Sequence, residues 1–273
     1  MNNRLDYGTQ ISFDPIRLSI GTIRKPTLAD ISDTEKMGFD KFYFMEFLAK
    51  LTPEDYYTKL LKEENGAEKW KSIPEKARGD ISIFDLIVAD KQLQKLYLDF
   101  FNFFFEEPVI YVNGYIVILQ KGSENKSVEE LQQEDIKGLL VKELFPGVLS
   151  IIQQICGIYS EEDDVENMVF KNERVKQKYL RAKKAQREQA KKADNNLTIP
   201  NIISSICGRH PSINYTNVYK LTIYQLLDTF NRMQNNMIYD LDSTRVSVWG
   251  DEKKTFNFAL WYKNIYDKMS DED

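Results

Sequence analysis

The residues of this chain that could do chemistry are two aspartates near its C-terminal end. Asp240 and Asp242 stand in MIYDLDST, an apolar stretch leading into an Asp-x-Asp-x-Thr pattern that ends at Thr244. Phosphotransferases that form an aspartyl-phosphate use such a pair beside Mg²⁺: one carboxylate attacks phosphorus and the other moves a proton. Those enzymes place a whole α/β sheet after the motif, whereas only 31 residues follow Asp242 here. We therefore interpret this stretch as Asx-type turns in a loop.

Three other residues are candidates for catalysis or metal binding. His210 is the single histidine, and it lacks the spaced acid, thiol or second histidine that a zinc site or a nucleophilic triad requires. Cys156 and Cys207 are far apart and form no CxxC pair, so we expect two buried free thiols. The glycines are all isolated, which argues against a phosphate-binding loop. The sequence thus predicts a protein that is not an enzyme and uses no cofactor or metal.

A basic segment between residues 171 and 196 is the strongest charge feature. It contains ten lysines and arginines, no glycine or proline, and many strong helix formers, so it is predicted to be a long helix. Its apolar stripe is thin and mostly alanine, which favours a helix that connects two bodies or lies on one of them. An acidic run, residues 161–164, precedes it.

Three interpretations of this segment remain open. The first is a solvated helix whose charge is balanced by the acidic run. The second is a nucleic-acid-binding helix, and the third is a helix that docks on an acidic partner. We favour the solvated helix, because no ladder of aromatic residues accompanies the charges for base stacking. The residues that we single out for partner contact are Lys176, Lys178, Arg181, Lys183, Lys184 and Arg187.

Charge and composition divide the chain into three parts. Residues 1–165 carry 19 basic and 29 acidic residues, whereas residues 197–273 are nearly neutral with 8 and 9. We predict an acidic, aromatic-rich body over 1–165, a basic connecting helix over 166–196 and a compact helical domain over 197–273. With 42% hydrophobic and 12% aromatic residues the chain can build a substantial core. No stretch reads as a signal peptide or a membrane span, so we expect a cytoplasmic protein.

The predicted fold class is mainly α with a small β component (α+β). Ile16, Leu18 and Ile20 alternate as in one strand, and helices are predicted over 37–51, from Thr52 and Pro53, over 83–105 and from Pro146. The aromatic stripe of the 83–105 helix is interpreted as a packing surface. Residues 109–119 flank Asn113-Gly114 with β-branched and aromatic residues, which predicts a hairpin.

Two caps and a glycine organise the predicted C-terminal domain. Thr198 begins a helix with Pro200 in its first turn, and Gly208 is predicted to end it. Thr222 begins another helix, whose inward residues are predicted to be Leu226, Leu227, Phe230 and Met233. A final helix is predicted over 256–266.

The C-terminal part resembles a family of viral proteins. The stretches LTIPNIISSICGRHPSINYTNVYKLTIYQLLDTFNRM and WGDEKKTFNFALWYKNI look like the C-terminal region of tail assembly chaperones of tailed bacteriophages. The opening SIGTIRKPTLADI and the segment FYFMEFLAKLTPEDYY are also reminiscent of such proteins. The resemblance covers about half of the chain. The chain is longer than many of these chaperones, which leaves open whether the extra N-terminal body has the same role.

The resemblance implies a non-enzymatic helical protein of the host cytoplasm. Such a chaperone keeps the tape-measure protein soluble while tail tube subunits polymerise around it, and it leaves before the virion is complete. Its partners would be the tape-measure and tail tube proteins, with self-association as a further option, and its surface should expose an apolar patch. The alternatives are a structural component of the virion and a nucleic-acid-binding adaptor that uses the basic helix.

Overall fold

The computed structural model describes residues 4–61, 65–158, 197–252 and 254–262. They form a mainly helical α+β protein, which confirms the predicted fold class. The chain separates into two compact units, residues 1–167 and residues 168–273. Among the helices of the described ranges, none has the length and apolar character that crossing a bilayer requires.

Helices make up most of both units. Those described in the first unit are α1 (Tyr7–Ile11), α2 (Leu28–Ser32), α3 (Phe39–Ala49), α4 (Pro53–Asp55) with a π-helical continuation (Tyr56–Leu60), α5 (Gly66–Ser72), α6 (Glu75–Asp80), α7 (Ile83–Ala89), α8 (Lys91–Phe104) and α9 (Phe145–Ile155). Those described in the second unit are α10 (Ile199–Arg209) and α11 (Ile223–Trp249). The described strands, all in the first unit, are β1 (Ile16–Leu18), β2 (Gly21–Ile23), β3 (Val109–Val112), β4 (Tyr115–Leu119) and β5 (Ile136–Leu140).

The predicted hairpin is confirmed as strands β3 and β4. Asn113 and Gly114 form its turn with φ values of 48° and 91°, the left-handed conformation that this residue pair tolerates. Strand β5 pairs antiparallel with β4 and completes a three-stranded sheet in the order β3-β4-β5. The sequence prediction missed β5, because Gly138 interrupts its apolar pattern.

The single strand predicted around Ile16–Ile20 is wrong, because the segment folds into the tight β1-β2 hairpin. Ile16 pairs with Ile23, and Ile20 lies in the turn. This hairpin is fixed to the chain just before β3: the Glu106 N–H donates to the Thr22 carbonyl at 2.9 Å. A pairing with residues so distant in sequence cannot be read from the local alternation.

Aromatic residues of α8 form the core of the first unit, as predicted. Tyr97, Phe100, Phe101 and Phe104 are fully buried, and the ring of Phe145 in α9 lies 5.7 Å from that of Tyr97. The single helix predicted over 83–105 is wrong, since it is broken between α7 and α8. Asp90 causes the break, because its Oδ1 accepts the Gln92 N–H at 2.8 Å and so begins a new helix.

The second unit has a small apolar core between α10 and α11. Thr198 and Thr222 begin these two helices as predicted, accepting from the N–H groups of Asn201 and Gln225. The prediction that Gly208 ends the first of them is wrong by one residue, since α10 continues to Arg209. The buried residues of this core are Ile199, Ile202, Ile203, Ile206, Val218, Ile223, Tyr224 and Leu226.

Candidate partner-binding surface

Helix α11 is much longer than the core on which it packs. Its 27 residues span about 40 Å at 1.5 Å per residue. Only Ile223, Tyr224 and Leu226, in its first two turns, are buried, and none of the described residues 227–249 is. Leu226 thus faces inward as predicted. Leu227, Phe230 and Met233, which were predicted to do the same, are only half-buried.

The later turns of α11 carry large apolar side chains in solvent. Leu241 is 71% exposed and Trp249 is 80% exposed, and Ile238 and Val248 are also exposed. Single exposed apolar residues are ordinary on protein surfaces, but several along one helix indicate an interaction site. We therefore regard this half of α11 as a candidate interface.

The chain reverses direction directly after α11. Gly250, with φ at 75°, ends the helix in a conformation that favours glycine. The Asp251 carboxylate then accepts hydrogen bonds from the N–H groups of Phe256 and Thr255, each at 2.9 Å, and these bonds lower the pKa of Asp251. Residues 258–262 form turns and residues 256–257 have no regular structure, so the helix predicted over 256–266 is wrong for this described part.

The returning chain exposes further aromatic residues. The ring of Phe256 packs against that of Tyr239 in α11 at 5.4 Å, which places the returning chain along one side of the helix. Phe258 is 71% exposed, and Trp261 and Tyr262 are exposed as well. We call Trp249, Phe258, Trp261 and Tyr262 the aromatic segment. Tryptophan and tyrosine are enriched in protein interfaces and contribute much of their binding energy.

The aspartate pair does not form a metal or phosphate site. The interpretation of this stretch as a loop is wrong, because Asp240 and Asp242 lie within α11. Residues two apart on a helix point about 200° apart, so the two carboxylates diverge. Asp242 instead accepts from Arg245 Nε at 3.2 Å. The described residues contain no group of three or more metal-ligating side chains.

The histidine and both cysteines have structural surroundings. His210 Nδ1 accepts the N–H groups of Ser212 and Ile213, at 3.2 Å and 3.0 Å, and so holds the turn after α10. Cys156 and Cys207 are free thiols as predicted, but only Cys156 is buried; the prediction of burial is wrong for Cys207, which is half-buried. Burial, helped by the nearby Glu46, raises the pKa of the Cys156 thiol, which makes it a poor nucleophile.

The residues singled out for partner contact lie outside the described residues. Lys176, Lys178, Arg181, Lys183, Lys184 and Arg187 belong to this group, as does the acidic run 161–164. Their part in a nucleic-acid or protein interface stays a prediction.

A family model described as the YomV second domain matches residues 189–266. No curated protein and no solved structure matches the chain. The YomV second-domain match covers α10, α11 and the aromatic segment, and therefore the whole candidate interface. It spans less than half of the chain and says nothing of the first unit.

The aromatic segment was not identified from the sequence as a binding site. The sequence prediction places Phe258, Trp261 and Tyr262 in the helix over 256–266 and assigns no role to Trp249. The signal that could have indicated this surface is the apolar spacing of α11, which continues past Met233 to Met237 and Leu241.

The first unit, outside the YomV second-domain match, contains one cleft worth considering as a ligand site. Tyr56 Oη donates to Asp90 Oδ2 at 2.9 Å, while Asp90 Oδ1 caps α8. Burial and the bond to Asp90 raise the pKa of Tyr56, so its phenol stays protonated. The cleft, of about 550 Å³, is lined by Phe44, Tyr56, Leu60, Leu61, Asp90, Gln92, Leu93, Lys95, Leu96 and Asp99.

Glu46 on α3 is the carboxylate of the first unit whose pKa is most clearly raised. Burial raises the pKa of Glu46 to about 7, although Lys50 opposes the shift. In the unfolded chain the pKa of this carboxyl is 4.5. Between that pH and about 7 the carboxyl is therefore neutral in the folded protein but ionised in the unfolded chain. Its contribution to stability is complete below pH 4.5 and is lost as the pH rises through about 7.

We expect Glu46→Gln to remove this pH dependence. At about pH 8 the variant should be more stable than the wild type by roughly 1–2 kcal/mol, after allowance for solvent screening, and near pH 4.5 the two should agree. Urea unfolding at both pH values measures the difference. Equal wild-type and variant stabilities at both pH values would contradict the assignment.

Proposed function

We propose that this protein acts without catalysis in bacteriophage tail morphogenesis, as a tail assembly chaperone-like factor. It binds the tape-measure protein, the tail tube protein or both in the host cytoplasm. The observation that carries the proposal is the exposure of four aromatic side chains at the end of the second unit. A helical client can bury such rings against its own apolar face.

Two further observations support this proposal. The YomV second-domain match connects the second unit with a protein from a Bacillus prophage region, which fits a viral role. Among the described residues, Asp242 binds Arg245, His210 Nδ1 accepts N–H groups of the turn after α10, and both cysteines are free thiols. The exposed apolar and aromatic side chains of the second unit are what the described surface offers to a protein partner.

The test is capture of tail proteins by the tagged chain. We expect coexpression with the tape-measure and tail tube proteins of the same genome to give a complex that survives nuclease. The double variant Trp249→Ser/Trp261→Ser should reduce capture by roughly tenfold or more, because exposed tryptophans are typical interface hot spots. The amount of tail protein in the pull-down measures this.

Phe13→Ser is the matched control, since it also removes an exposed aromatic side chain but from the first unit. It should leave capture unchanged. Failure of the wild type to capture a tail protein contradicts the proposal. A complex that contains nucleic acid and that nuclease treatment removes supports the nucleic-acid-binding adaptor. Detection of the chain in purified virions supports a structural component of the virion.

A further inference from the structure

One face of α11 carries an uncharged stripe that continues almost to the end of the helix. With successive residues about 100° apart, Phe230, Met233, Leu241, Thr244 and Val248 all lie within about 40° of Met237. None of them is charged, and none is fully buried in its own unit. The Thr244 hydroxyl donates to the Asp240 carbonyl at 2.8 Å, which satisfies it within the helix.

The other faces of this half of α11 are used differently. The returning chain packs Phe256 against Tyr239, which lies on the side of the helix about 160° away from Met237. Asp242 and Arg245 bind each other along the helix. On the Met237 face, Phe230, Met233 and Met237 are half-buried, whereas Leu241, Thr244 and Val248 are exposed, Leu241 to 71%.

The stripe has a symmetry that points to its occupant. Four of its positions are spaced symmetrically about Met237: Met233 and Leu241 lie four residues to either side, and Phe230 and Thr244 seven. Val248 has no such counterpart, because the residue eleven positions before Met237 is Leu226, which is buried in the core of the unit. A two-fold axis through Met237, perpendicular to the helix, therefore places the stretch from Phe230 to Thr244 on itself. We propose that α11 binds a second copy of this chain as an antiparallel helix pair centred on Met237.

Side-chain size distinguishes the antiparallel arrangement from a parallel one. In the antiparallel pair, Phe230 meets the small Thr244 of the second copy, and Met233 meets Leu241. In a parallel pair each residue would meet its own copy. Two Phe230 side chains would then be crowded together, and two Thr244 side chains would leave a gap between the helices. Helix interfaces fill space best when large and small residues alternate across them.

The spacing also suits a nearly straight pair. Phe230, Met237, Leu241 and Val248 follow one another at spacings of seven, four and seven residues. The stripe therefore repeats every 11 residues, as from Met237 to Val248. A repeat of 11 residues stays close to the natural turn of the α-helix, so the stripe remains on one face without strong supercoiling. Two copies can therefore stay in contact from Phe230 to Thr244, about 21 Å.

The first test is the mass of the purified full-length chain in solution by light scattering. We expect twice the chain mass, and we expect Leu241→Lys to raise the dimer dissociation constant by at least about tenfold, because the seam would bury an ammonium group. Leu241 is largely exposed in its own unit, so the substitution leaves folding intact. Asn235→Lys, on the opposite face of α11, is the matched control and should remain dimeric.

The second test uses disulfide formation to determine the direction of the pair. In a Cys207→Ser background, we expect a mixture of Met233→Cys and Leu241→Cys chains to give the mixed disulfide under mild oxidation. Predominant formation of the two same-residue disulfides would overturn the antiparallel arrangement. Native Cys156 is buried and should not interfere.

The outcomes separate this inference from the proposed function. A wild-type monomer, or a Leu241→Lys variant that stays dimeric, overturns self-association through this face. A wild-type monomer whose capture of a tail protein is lost with Leu241→Lys assigns the stripe to the client instead. A dimer that captures no tail protein keeps the inference and contradicts the proposed function.

Discussion

Replacing Gly138 with alanine is expected to lower the free energy of unfolding by about 3 kcal/mol, near the upper end for overpacking of a core. A Cβ atom at this position in β5 would lie 2.6 Å from the Cα of Ile20 and 2.7 Å from its carbonyl oxygen. These are backbone atoms of the β1-β2 turn, which cannot rotate away as a flexible side chain can. Thermal unfolding of the full chain should show a midpoint lower by roughly 6–12 °C.

Gly79→Ala is the matched control for this clash. Gly79 lies in α6, where an added Cβ would meet no atom within 4 Å. Since alanine favours a helix over glycine, this variant should be unchanged or more stable by up to about 1 kcal/mol. Equal unfolding midpoints for the two variants would show that β5 and the β1-β2 turn are not in such close contact.

Replacing Lys137 with methionine should lower the free energy of unfolding by a comparable amount, because it removes the positive charge that pairs with buried Glu107. The Glu107 side chain is only 2% exposed, and its carboxylate accepts from Lys137 Nζ and from the Thr22 N–H, the latter at 2.7 Å. Burial raises the pKa of Glu107, but the bonds from Lys137 and Thr22 outweigh burial and lower it overall. Without Lys137 a buried charge loses its cation, which should cost about 3 kcal/mol in urea unfolding at neutral pH.

The double variant Glu107→Gln/Lys137→Met shows whether the loss comes from the unpaired charge. The glutamine oxygen can still accept the Thr22 N–H, and no buried carboxylate is left without a partner. We expect the double variant to recover at least half of the stability that Lys137→Met loses, because a neutral replacement of a buried pair is often tolerated. A double variant as unstable as Lys137→Met would attribute the loss to packing.

Local chemistry accounts for the parts of the fold that were predicted well. The Asn113-Gly114 turn needs two left-handed residues in succession, and few other pairs supply them. Thr198 and Thr222 each satisfy an N–H in the first turn of the helix that follows. These signals act within four residues, so the sequence displays them completely.

The errors arose where a distant contact or a competing local bond decided the outcome. Asp90 ends one helix and begins another, although the apolar spacing runs through it. Asp240 and Asp242 favour turns by type, but α11 continues through them, with the Asp242 carboxylate bound to Arg245 within the helix. The Asp251 carboxylate accepts the N–H of Phe256, and residues 258–262 form turns in place of the predicted final helix.

The sequence by itself determined the helical fold class, the β3-β4 hairpin and the free thiols. Those properties depend on residue type and short spacing. The tertiary structure alone decided which apolar residues face solvent: Leu241 and Trp249 look like core residues in the sequence, yet α11 extends beyond the small core that α10 provides. Burial depends on what packs opposite a helix, and the pattern of one helix cannot specify that.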